Sequence, residues 1–258
     1  MKSLKNFPKD IQSFLSDATV SEIGIGCSDT KVFKIKKSKN TLFLKVGVAP
    51  LLTKEYASLI WLKDRLSVPE CVYFTNDGKY EYLITKAVAG EMSCSDSNLS
   101  RPEATVKLLA ESIRQIQNVD IKDFPFRNDL NYKLGIAEYN VKNNLLSDTP
   151  VSEIGKKFKS YEKILDYLKT HKPKEELVFS HGDTSLPNIF LKNGKVSGFI
   201  DVGECGVADK WFDIAICYKS IRRNFPNRPD LLDLFLKELN LKPSSNIDYY
   251  IAIMDLYL

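Results

Sequence analysis

One stretch limits the possible folds of this chain more than any other: Phe179 to Gly203, FSHGDTSLPNIFLKNGKVSGFIDVG. Leu177 to Ser180 is a short apolar run leading into a polar loop that carries His181, Asp183 and Asn188. Asn188 to Asp201 then alternates around Asn193-Gly194, and Asn-Gly between alternating runs is a strong hairpin signal. The order is strand, loop, hairpin, with Asp201 at the hairpin's end. A fold built on it has to bring two aspartates and an amide together from the ends of short strands.

The flanking sequence changes character once. In the first ninety residues, KVFKIKK (Lys31 to Lys37) and TLFLKVG (Thr41 to Gly47) alternate as strands about the turn Ser38-Lys39-Asn40. Leu51 to Leu66 repeats its apolar residues at helical spacing, and Pro69 closes it. Cys71 to Val88 reads as a hairpin about Asp77-Gly78. Gly90 to Arg101 is polar and Ser-rich, and reads as a linker. Beyond it the expected helices are Pro102 to Gln117, Leu130 to Leu146, Gly155 to Lys169, Lys210 to Arg223, Pro229 to Leu239 and Ile247 to Tyr257. With 258 residues there is enough chain for two lobes sharing a cleft. The expectation is an α+β fold in two parts. Residues 1–88 form a small antiparallel sheet with one helix, and residues 89–258 form a mainly helical lobe.

Composition removes several classes. A formal charge of +4 with no basic tract interleaved with aromatics does not suit nucleic acid. Five cysteines without a C-x-x-C read as thiols in a reducing compartment, with neither a disulfide frame nor a zinc site. The opening MKSLKNFPKDIQSFL is broken by charges and a proline, unlike a signal peptide. No apolar run reaches the ~18 residues of a membrane span. A cytoplasmic protein without membrane or nucleic-acid partners is expected.

The polar loop suggests a chemistry. Phosphoryl transfer needs a carboxylate to position or deprotonate a hydroxyl, and oxygen ligands for Mg²⁺ on the phosphates. Mg²⁺ prefers carboxylate and amide oxygens to imidazole. Here His181, Asp183 and Asn188 stand in the order H-x-D-x-x-x-x-N, and Asp201-Val202-Gly203 has the form D-x-G. Those are the catalytic loop and second metal motif of protein kinases. His181, flanked by apolar strand, reads instead as a structural residue bonding the loop backbone. A kinase also needs a sheet lysine oriented by a helix glutamate. Lys45 in LFLK and Glu55, ten residues on, occupy such positions. With only two histidines, and no H-E-x-x-H or G-x-S-x-G, neither a zinc protease nor a serine hydrolase can be assembled.

Val178 to Ala215 resembles the aminoglycoside phosphotransferases, most of all the 3'-phosphotransferases. SHGD, PNIF, KVSGFID, GVADKW and DIA fall in that family's order, and LFLK and the terminal YYIAIMDLYL fit as well. The resemblance implies a bilobal, protein-kinase-like fold that moves the γ-phosphate of ATP or GTP to a sugar hydroxyl of an antibiotic. It gives Asp183 the role of catalytic aspartate, and Asn188 and Asp201 that of Mg²⁺ ligands. Lys45, paired with Glu55, would contact the phosphates. Ser28 would lie in the nucleotide-positioning loop, and Ile84, Thr85, Lys86 and Ala87 in the segment that contacts adenine. Because aminoglycosides are polycations, their site needs carboxylates. The implied candidates are Asp148, Glu153 and Asp255, with Tyr257 as the near-terminal aromatic. Two positions depart from the family. Glu204 stands where Arg is common, and Arg223 where a substrate-binding acid is common. Either the swap preserves a salt bridge or it changes the substrate range. A monomer or weak dimer is expected. The competing readings are a related small-molecule kinase for another metabolite or antibiotic, and a nucleotide-binding pseudokinase without turnover.

Overall fold

The computed structural model describes residues 7–24, 30–38, 40–146 and 151–257. The chain divides into two compact units: Met1–Ala89 with Gly198–Gly203, and Gly90–Ser197 with Glu204–Leu258. The sequence division had placed 198–203 in the second part. Close approach explains the difference. A Cβ on Gly198 would lie 2.7 Å from Val88 Cγ1 and 2.9 Å from the Ser67 carbonyl oxygen, and Phe199 donates its N–H to that carbonyl at 2.8 Å.

In the first unit the elements are α1 (Lys9–Leu15), β1 (Thr19–Ile23), β2 (Lys31–Lys37), β3 (Asn40–Val48), α2 (Thr53–Leu62), β4 (Cys71–Asn76) and β5 (Tyr80–Lys86). The strands form one antiparallel sheet in the order β1-β2-β3-β5-β4. The β4–β5 turn is held by Asp77 Oδ1, which accepts the N–H groups of Lys79 and Tyr80. One helix was expected here, and α1 is a second. It spans seven residues with no side-chain cap at its start, too few for periodicity to announce it. It forms because Ile11 and Leu15, one turn apart, pack with Ile35, Leu44 and Ile84. Burying each contributes about 2 kcal/mol.

The second unit contains β6 (Glu91–Met92), α3 (Asp96–Leu99), α4 (Pro102–Gln117), α5 (Leu130–Lys142), α6 (Tyr161–Thr170), β7 (Leu177–Ser180), β8 (Ile189–Lys192), β9 (Lys195–Phe199, its last two residues belonging to the first unit), β10 (Gly206–Asp209), α7 (Lys210–Asn224), α8 (Asp230–Glu238) and α9 (Ser245–Met254). β10 pairs antiparallel with β7, and β6, β8 and β9 form a second small sheet in that order. The expected linker is structured instead. β6 pairs with β8, and the Asn98 amide donates to the Met92 carbonyl. The helix expected over Gly155 to Lys169 is split. Gly155–Lys157 is a separate 3-10 turn, and α6 begins only after Ser160, whose hydroxyl accepts the Lys163 N–H. No disulfide joins Cys71, Cys94, Cys205 or Cys217. Among the described residues no helix is long and apolar enough to cross a membrane.

Candidate active site

Strand alternation puts Leu44 and Val46 toward the α1 core and sends Lys45, between them, to the opposite face. There its ammonium donates to both oxygens of Glu55, at 2.7 and 2.9 Å, and to Asp201 Oδ1 at 2.8 Å. Burial opposes the charge on Lys45. The Glu55 and Asp201 carboxylates outweigh that penalty and hold the group above its ordinary range. Glu55 is buried in the first turn of α2, and the start of that helix is fixed by a residue the sequence reading missed. Glu81 of β5, 1% exposed, accepts the backbone N–H groups of Leu52 and Thr53 and the Thr53 hydroxyl. A carboxylate at a helix N-terminus satisfies orphan donors and faces the positive end of the dipole. Asp201 stands in the left-handed region, φ +64°, with its side chain 55% exposed.

In the second unit, β7 delivers the loop that carries Asp183. Asp183 Oδ1 accepts the Ser185 N–H at 3.1 Å, and Oδ2 accepts Asn188 Nδ2 at 2.8 Å. With its amide nitrogen on Asp183, Asn188 turns its Oδ1 away from that carboxylate. His181, 1% exposed, accepts the Asp183 N–H at its Nδ1, the structural role expected of it.

Asp213 anchors the loop, and the sequence reading assigned it no role. It is 1% exposed in the first turn of α7, and its oxygens accept the N–H groups of His181 and Gly182 at 2.8 and 3.0 Å. Burial pushes its carboxyl upward against the opposing pull of His181 and those N–H groups. The Thr184 hydroxyl donates to the Asp213 carbonyl, and the Ser220 hydroxyl accepts the Leu186 N–H. An acid inside the apolar run FDIAIC was the available signal.

The remaining expected residues fall in several places. Ser28 and Asp148 lie outside the described residues. Ile84, Thr85 and Lys86 end β5, while the N–H groups of Lys86 and Ala87 donate to the carbonyls of Glu70 and Thr41. Glu153 is exposed and pairs with Lys156. Asp255 is 2% exposed, with Ser152 donating both its N–H and its hydroxyl to the carboxylate. Arg223 is exposed near the end of α7. Glu204 is exposed and meets the Tyr257 hydroxyl at 3.5 Å. Lys133, also missed, is 1% exposed with its ammonium 3.6 Å from the Phe212 ring centroid and 4.6 Å from that of Tyr257. It occupies the apolar stripe of α5 with Leu130, Leu134 and Ala137.

Among the described residues no group of three His, Cys, Asp or Glu could hold a metal. Asn188 in the second unit carries an amide oxygen and Asp201 in the first an exposed carboxylate, and oxygen donors of these kinds suit Mg²⁺ better than imidazole or thiolate would. The first unit thus holds a sheet lysine oriented by a helix glutamate, and the second a loop aspartate bonded to an asparagine, each a residue pairing that phosphoryl transfer uses.

Residues 19–236 match the model of the phosphotransferase enzyme family. The chain belongs to that family. It is 38% identical to an aminoglycoside 3'-phosphotransferase of Enterococcus faecalis over 242 residues, covering 90% of this chain and 91% of that one. An aminoglycoside-3'-phosphotransferase of type VIII has a similar fold, with a TM-score of 0.81 at 23% identity over 96% of this chain and 97% of that one. So has aminoglycoside phosphotransferase APH(3'')-Id from Streptomyces rimosus in complex with ADP and streptomycin, at 0.78 and 19% over 95% of each. The α+β, protein-kinase-like architecture expected from the sequence is the one observed.

Proposed function

We propose that this protein transfers the γ-phosphate of ATP or GTP to the 3'-hydroxyl of an aminoglycoside and so confers resistance. An intact Lys45, Asp183, Asn188 and Asp201 set in a chain 38% identical to an enterococcal aminoglycoside 3'-phosphotransferase carries this reading. Residues 1–88 bind the nucleotide, with Lys45 on its phosphates and the 84–87 segment and Ser28 loop around it. Residues 89–258 position the acceptor. Asp183 orients the attacking hydroxyl, and Ser185 and Asn188 hold that carboxylate in place. Asn188 and Asp201 supply the oxygen ligands for Mg²⁺. When bound, the ion neutralises charge on the phosphate oxygens. The acceptor's ammonium groups meet acids among Asp148, Glu153 and Glu204, with Arg223 and Tyr257 bordering them, while Asp255 is buried and serves the fold. The protein acts in the cytoplasm as a monomer or weak dimer, without nucleic-acid or membrane partners.

The test is direct. The purified chain is incubated with Mg²⁺, ATP or GTP, and kanamycin or neomycin, and the product is located by phosphorus NMR. A phosphomonoester on the 3'-oxygen is expected, together with raised kanamycin tolerance in expressing cells. Absence of phosphorylation on every aminoglycoside would falsify the reading.

Lys45→Ala is expected to lower kcat/KM for the nucleotide by about 10²-fold, the size of one preorganised charge contact on a transferring phosphoryl group. Lys45→Arg should not restore it, because a planar fork does not replace a point charge between Glu55 and Asp201. ADP release at varied ATP measures both, and a near-wild-type value for Lys45→Ala removes Lys45 from the site.

A further inference from the structure

The carboxylates named for the acceptor are not equally available. Asp255 is buried and taken up by the Ser152 N–H and hydroxyl. A Cβ on Gly155 would fall 2.2 Å from its Oδ2, so it is closed in on that side as well. Its work is to tie the 152–155 turn to the end of α9. Glu153 spends its charge on Lys156, which holds its carboxyl below the usual range.

Glu204 differs from Asp255 in exposure and from both in position. In the β7–β10 ladder, Gly206 is paired with Ser180. Gly182 stands two residues beyond the end of β7, and Glu204 two residues before the start of β10, in the Val202–Glu204 3-10 turn. Their backbones touch: a Cβ on Gly182 would lie 2.2 Å from the Glu204 carbonyl oxygen and 2.8 Å from the Glu204 Cβ. That contact, with φ +86°, is why glycine precedes Asp183. The Glu204 carbonyl is fixed from its other side by Asn128 Nδ2 at 2.6 Å. The backbone of Glu204 is therefore clamped against the residue next to the catalytic aspartate, while its side chain is exposed.

The side chain also has a guide. Tyr257 places its hydroxyl 3.5 Å from Glu204 Oε2, and its ring lies over the ammonium of buried Lys133. Burial, and after it the Glu204 carboxylate, push the Tyr257 hydroxyl well above its ordinary range, so it remains a donor. A rigid ring on a buried cation thus hands one hydrogen bond to the acid beside the catalytic loop.

We propose that Glu204, aimed by Tyr257, is a specificity-determining residue that holds one ammonium of the acceptor beside the hydroxyl served by Asp183. This rests on the aminoglycoside reading above. Beside the catalytic loop this chain offers an exposed anion, so acceptors with an amino group at the matching position should be favoured.

The experiment uses the full-length chain and acceptor pairs differing by one amino-to-hydroxyl exchange: neomycin with paromomycin, and kanamycin B with kanamycin A. For Glu204→Gln we expect KM of the amino-bearing member of one pair to rise about tenfold, the scale of one charge-assisted hydrogen bond at an exposed site. Its hydroxyl partner should move much less, and kcat should change less than KM. Glu204→Arg should exceed that effect. Tyr257→Phe, which keeps the ring over Lys133 and removes the donor, should shift the same pair in the same direction by a smaller factor. Unchanged KM for all four acceptors in Glu204→Gln overturns the proposal, as does a uniform fall in kcat with no discrimination within pairs. A wild-type chain inactive on every aminoglycoside overturns the parent reading first, and this inference with it.

Discussion

Asp183→Ala is expected to reduce kcat for aminoglycoside phosphorylation by about 10³-fold, within the ~10²–10⁴ range of a positioned acid–base group. Melting temperature and nucleotide affinity should stay near wild type. The carboxylate is only half-buried, and its removal costs the loop the Ser185 and Asn188 contacts to its oxygens. Asn188 Nδ2 keeps the residue 183 carbonyl at 3.1 Å. The orientation of the loop rests on α7 rather than on this side chain. Turnover near wild type would strip Asp183 of its role. Loss of nucleotide binding together with turnover would make the residue structural.

Asp213→Ala is expected to show the reverse pattern: a stability loss large enough to take activity with it. Both oxygens of this buried acid are used by the backbone N–H groups of His181 and Gly182. Alanine leaves the buried His181 N–H and the half-buried Gly182 N–H without this partner, at ~1–3 kcal/mol for a fully buried donor and less for the other. A loss of about 3 kcal/mol corresponds to a fall of roughly 6–12 °C in melting temperature for a unit of this size. Asp213→Asn keeps one acceptor oxygen and should lose about half as much. Thermal unfolding followed by circular dichroism measures both. Identical melting of Asp213→Ala and wild type would show that water satisfies the loop, and that Asp213 does not anchor it.

These two aspartates show what can be read locally and what cannot. Asp183 is legible because its neighbours in sequence state its environment: a strand before it, an asparagine five residues on, and a hairpin turn beyond. Asp213 shows only as an acid in an apolar run, and nothing near it says that its partners lie some thirty residues earlier. The elements divide in the same way. α4 starts and stops where Pro102 and the apolar period place it, and the β4–β5 and β8–β9 turns stand on Asp77-Gly78 and Asn193-Gly194. β10 is four residues, GVAD, with no alternation, and exists because it pairs with β7. The supposed linker at Gly90 to Arg101 is ordered for a similar reason, since β6 is completed by β8.

By itself, the sequence determined the strand-rich and helical portions, the principal turns and the family to which the chain belongs. The portions and turns depend on contacts within a few residues, where periodicity and backbone dihedral preferences act. Tertiary structure alone decided that 198–203 returns to the first unit, that Asp255 is enclosed while Glu204 is exposed, and that Lys133 is buried against aromatic rings. Burial and pairing between distant segments are set by which surfaces meet, and no local pattern records that.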